Sequence, residues 1–86
     1  MMDLEEDWNT IVKRIKKTYP ERKIEEEEDM VEIRLRPRKF LMIDRQGKVE
    51  GAMPRHHFQS EGVERVLVEN GITRVIGDGF SYMFKT

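Results

Sequence analysis

Seven cations lie close together in the middle of this chain: Arg34, Arg36, Arg38, Lys39, Arg45, Lys48 and Arg55. They are interleaved with Phe40 and Phe58 and followed by His56 and His57. Cations meet phosphates and flat side chains stack on bases, so this is the chemistry of weak binding to single-stranded RNA or DNA. The same alternation is what the wet face of a strand shows, and a sequence pI of about 6.1 is well below the strongly basic value usual for nucleic-acid modules. No RNP, KH or helix-turn-helix signature accompanies the basic segment.

Charge is unevenly spread along the chain. Residues 1–33 carry six basic and eleven acidic groups, residues 34–58 carry seven and two, and residues 59–86 carry three and four. Such bipolarity suits a basic binding face, complementary faces of an oligomer, or salt-bridged strands.

Other residues with chemical potential point to plainer roles. Glu25, Glu26, Glu27, Glu28 and Asp29 carry the oxygens that a hard cation wants. Consecutive carboxylates on an extended chain point to alternate sides, however, so we read a solvated run that blunts a sheet edge. His56 and His57 could hold a metal or move a proton, yet they are adjacent, lack HExxH spacing and have no cysteine to help. Gly77-Asp78-Gly79 could let backbone amides approach an anion, but the Asp repels one and no helix pattern follows, which favours a hairpin turn. The hydroxyls of Thr10, Thr18, Ser60, Thr73, Ser81 and Thr86 stand outside any nucleophile-elbow context. No catalytic residue, metal ligand or cofactor is assigned.

The elements that must position these groups follow from periodicity. Leu4, Trp8, Ile11, Val12, Ile15 and Tyr19 recur at three- and four-residue steps, giving an amphipathic helix with lysines in its last turn and Pro20 beyond it. Glu21 to Asp29 reads as an exposed edge strand or a loop. Val31, Ile33 and Leu35 alternate with Glu32, Arg34 and Arg36, a strand with one wet face. Phe40-Leu41-Met42-Ile43 is continuously apolar, as in a central strand covered on both faces, and a homodimer could supply the second cover. Asp44 to Gly47 is a turn-and-bulge signature leading back into a strand over residues 48–53.

Pro54 to Gln59 reads as a loop, and Ser60 as the cap of a short helix through Val63, Val66, Leu67 and Asn70, closed by Gly71. Strands follow over residues 72–77 and 80–85, joined at Asp78-Gly79. The unit GVERVLVENGITRVIGDGF resembles a stretch of the dinitrogenase iron-molybdenum cofactor family, in which a helix, a glycine and a buried strand run into a glycine-rich loop. It covers under a quarter of the chain. That family's opening strand is replaced here by the first helix, and no helix pattern follows the loop, so the resemblance assigns no membership.

The expected fold is one α+β domain over residues 1–86: a mainly antiparallel sheet of five or six strands carrying one long N-terminal helix and one short helix. Absent cysteines rule out disulfides and thiolate metal sites and fit an intracellular setting. The acidic start MMDLEEDW is unlike a secretory signal, and no apolar stretch approaches membrane-spanning length, so a cytoplasmic protein with no membrane partner is expected. Charged residues form 38% of the chain while Asn and Gln total four, a balance seen in proteins built for high temperature. A non-enzymatic binding or adaptor domain, meeting a protein partner or a second copy of itself, ranks first among function classes. Nucleic-acid binding through residues 34–58 ranks second, and a small enzyme or ligand-binding domain third.

Overall fold

The computed structural model describes the backbone over residues 5–85 and side chains from Trp8 to Lys85. Leu4 of the expected helical stripe and the Thr86 hydroxyl lie outside the described residues. One helix, α1 (Glu5–Thr18), and a 3-10 turn at Glu21–Lys23 precede eight strands. These are β1 (Ile24–Glu26), β2 (Met30–Arg36), β3 (Lys39–Asp44), β4 (Val49–Met53), β5 (His56–Ser60), β6 (Val63–Glu69), β7 (Ile72–Gly77) and β8 (Phe80–Lys85). They form two antiparallel meanders, a five-stranded sheet β1-β2-β3-β4-β5 and a three-stranded sheet β6-β7-β8.

The helix forms where the apolar spacing places it, and its Trp8, Ile11, Val12, Ile15 stripe with Tyr19 is buried. It docks chiefly on β6. The first sheet contributes Val31, Ile33, Leu41, Ile43 and Val49 to the same core, and the second contributes Val63, Val66, Val68, Val75 and Phe84. Helix stripe and the inner faces of both sheets therefore share one apolar cluster.

Strand β3 is central in its sheet, as its apolar run implies. Its two faces nevertheless differ: Leu41 and Ile43 are buried, whereas Phe40 and Met42 are half-buried on the outer side. The β3–β4 turn matches its signature, with Asp44 Oδ1 accepting from the Gln46 and Lys48 amides at 2.8 and 3.2 Å and Gly47 at φ 93°.

Three expectations fail. Residues 56–60 form strand β5 instead of a loop, paired along β4 from Val49↔Ser60 to Met53↔His56. Residues 63–69 form strand β6 instead of a short helix, paired with β7 through Asn70-Gly71. Three β-branched valines in seven residues favour a pleated strand over a helix. Asn70 and Gly71 both take positive φ, 52° and 77°, as a type I′ hairpin requires, so Gly71 closes a hairpin and caps no helix. The similarity of this unit to a helix-glycine-strand stretch falls with it, since a strand stands in the helix's place. Two sheets replace the one expected, because the chain crosses from β5 to β6 without pairing them.

Candidate anion-binding end

Meander topology decides which cations meet. In an antiparallel meander alternate turns lie at the same end, so the β2–β3 turn with Pro37 and Arg38 stands beside the β4–β5 turn with Pro54 and Arg55. The chain enters β1 at that end too, because Ile24 pairs with Ile33. Arg22 and Lys23 thus join the group, and the Lys23 ammonium donates to the Leu35 carbonyl at 3.1 Å.

The seven candidate cations separate accordingly. Arg34, Arg36, Arg38 and Arg55 gather at this end. Lys39 turns towards the other sheet, its Nζ 6.0 Å from the Phe84 ring centroid. Arg45 and Lys48 belong to the β3–β4 turn at the opposite end. There Arg45 lies 3.7 Å from Asp29 and 5.8 Å from the Trp8 ring centroid, a structural anchor on the helix. Arg22 and Lys23 were missed from sequence because they sit in the strongly acidic first third of the chain.

Strand register sets the outer face. One row runs Arg34, Phe40, Ala52, His57 across β2 to β5, and the next runs Glu25, Glu32, Met42, Glu50, Gln59 from β1. Side chains of the first row reach carboxylates of the second: Arg34 Nε lies 3.0 Å from Glu32 Oε2, and His57 Nε2 lies 3.0 Å from Glu50 Oε2. Arg34 also donates to the Pro37 carbonyl at 3.1 Å, and its guanidinium carbon lies 4.6 Å from the Phe40 ring centroid. Among the described residues, Arg36, Arg38 and Arg55 form no ion pair.

Two open hollows flank Pro37. One, of about 640 Å³, is lined by Arg22, Lys23, Arg34 and Arg36 together with Glu25 and Glu32. The other, of about 410 Å³, lies over Phe40 and Ala52 and is rimmed by Arg38, Arg55, His56 and His57 without a carboxylate.

The remaining candidates disperse. His56 and His57 both rim the hollow over Phe40, and no group of three or more His, Cys, Asp or Glu capable of holding a metal occurs among the described residues. The acidic run divides, with Glu26 paired to Lys16 and Asp29 near Arg45. Gly77 and Phe80 pair across the Asp78-Gly79 turn. Thr73 is buried, its hydroxyl 2.7 Å from that of Tyr19. No helix among the described residues is long and apolar enough to cross a membrane. Comparison with protein-family models, with curated proteins and with solved structures finds no match.

Proposed function

We propose that this chain is a non-enzymatic binding domain that holds a nucleic-acid strand by its phosphates at the cationic end of the five-stranded sheet. The observation that carries this reading is convergence: six cations from the 3-10 turn, β2 and two separate hairpin turns meet at one end, and among the described residues Arg34 is the one of them held in an ion pair. Phosphate contacts of this kind position a strand without reading its sequence. A cytoplasmic setting belongs to the same proposal and rests on the cysteine-free composition.

Fluorescence anisotropy with a labelled oligonucleotide tests it. With about four phosphates neutralised, a single strand should lose roughly twenty-fold in affinity between about 50 and about 150 mM salt. Replacing Arg36, Arg38 and Arg55 together by Ala should flatten the log-log slope by about two, with the far-UV spectrum unchanged. Failure of any oligonucleotide to bind at low salt defeats the proposal.

The alternative is a protein partner or a second copy of the chain, and one observation favours it. Met83 on β8 is the exposed large hydrophobic residue among those described, at 41% of its surface, and β8 ends its sheet with an unpaired edge. Light scattering that shows a dimer dissociated by Met83→Lys would support this alternative.

A further inference from the structure

The row Arg34, Phe40, Ala52, His57 has a shape as well as a charge. Residues in register on neighbouring strands project to the same side, and neighbouring strands lie about 4.8 Å apart. Phe40 and His57, two strands apart, therefore rise from backbones roughly 10 Å apart. Between them stands only the Ala52 methyl. A flat ring held between two others needs about 7–8 Å between the outer two, given contact distances of 3.5–4.0 Å. The gap thus admits one flat ring.

Both walls are braced. The Arg34 guanidinium packs on Phe40, and Arg34 comes from β2, the neighbour on the side away from Ala52. Glu50 holds the His57 ring through Nε2. The hollow above is the one rimmed by Arg38 and Arg55 and free of carboxylates, so an anionic group attached to the ring would meet cations.

We propose that the cleft between Phe40 and His57 takes one unstacked nucleobase of a single-stranded nucleic acid, with Arg38 and Arg55 on the flanking phosphates. The proposal rests on the phosphate-binding reading above and adds to it a base-dependent part. Duplex bases are already stacked on one another, whereas single strands can lay a base on a protein ring whatever its identity.

The test compares a short oligo-dT with an abasic strand of the same length and charge, and with a duplex. The native chain should prefer oligo-dT to the abasic strand by about tenfold, with the duplex near the abasic value. Ala52→Leu, which fills the cleft without altering any charge, should abolish this preference and spare most of the abasic affinity. Phe40→Ala should do the same, and Phe40→Trp should restore the preference and show fluorescence quenching as oligo-dT binds. Should Phe40→Ala fail to fold, Ala52→Leu and Phe40→Trp decide the matter. Equal binding of oligo-dT and abasic strand overturns the cleft and leaves the phosphate site standing. Retention of the preference in Ala52→Leu also overturns it. A polyglutamate peptide that binds as tightly as oligo-dT would assign the end to an acidic protein segment instead. No binding of either strand removes both proposals.

Discussion

At the scale of single residues, the buried hydroxyl pair Tyr19 and Thr73 ties together two distant parts of the chain. Their oxygens are 2.7 Å apart and 54 positions apart in sequence, joining the end of the helix to β7. Burial pushes the Tyr19 phenol above its ordinary value of 10, and the Thr73 hydrogen bond opposes that rise. Burial raises Tyr82 as well. A raised phenol stabilises the fold fully below the unfolded value near 10, and that contribution is lost as pH climbs through the folded value. Stability should therefore fall on the alkaline side. Tyr19→Phe leaves the Thr73 hydroxyl buried without its partner and should cost about 1–3 kcal/mol in urea unfolding. Thr73→Val in the same background should recover most of that loss, since both polar groups are then gone. Tyr19 was readable from sequence as the last member of the helical stripe. Its partner was not, because nothing local to Thr73 says which turn of which helix will reach it. The cations behaved likewise: Arg34, Arg36, Arg38 and Arg55 could be named by type, but only strand register separates them from Arg45 and Lys48 and adds Arg22 and Lys23.

At the scale of elements, period-two segments with clear turns were the legible part of the fold. Strands β2, β3, β4, β7 and β8 stand where alternation, the apolar run from Phe40 to Ile43 and turn residues put them. Strand β6 was misread because Val63, Val66, Leu67 and Asn70 also fit a three-and-four spacing. A bulge at Glu64, between the pairs of Val63 and Arg65, shifts the inward set to Val63, Val66 and Val68 and so mimics a helical step. The corrective signal was Asn-Gly between valine-rich runs, a stronger mark of a hairpin than of a helix end. Strand β5 was hidden by Pro54, its pair of histidines and its single large apolar residue, Phe58. That residue explains a glycine in mid-strand. The Phe58 and Tyr82 rings lie against each other, tilted by 35° with centroids 3.7 Å apart, and a Cβ on Gly51 would come within 2.8 Å of Phe58 and 3.0 Å of Tyr82. Gly51→Ala must push this ring pair aside and should cost about 1–3 kcal/mol. For a domain of this size that is a fall of at least about 4 °C in Tm. A loss of near-ultraviolet dichroism from Tyr82 should accompany it.

At the scale of the whole molecule, charge is sorted along the strands of the first sheet. Strand β2 spans seven residues, about 20 Å, with the β1–β2 turn of Glu27, Glu28 and Asp29 at its start and Arg38 just beyond its end. Two screening lengths at physiological salt, about 8 Å each, fit within that distance, so the far carboxylates have little influence on an anion bound at the cationic end. Glu25 is different. It lines the same hollow as Arg22, Lys23, Arg34 and Arg36, where it competes with any phosphate, and it faces Glu32 directly across the β1–β2 pair. Like charges opposite each other in a sheet repel, so this carboxylate weakens both the ligand site and its own strand pair. Glu25→Ser should then do two things together. It should tighten oligonucleotide binding about threefold at low salt, the effect of one charge removed at roughly 6 Å in water. It should also raise stability by about 0.2–1 kcal/mol, because the Glu25 and Glu32 repulsion is gone. The joint replacement of Glu27 and Glu28 by Ser removes twice the charge yet should leave affinity at physiological salt unchanged. If instead that double variant tightens binding as much as Glu25→Ser, the ligand lies nearer the middle of the sheet than the turn end, and the placement of the phosphates at Arg36, Arg38 and Arg55 is wrong.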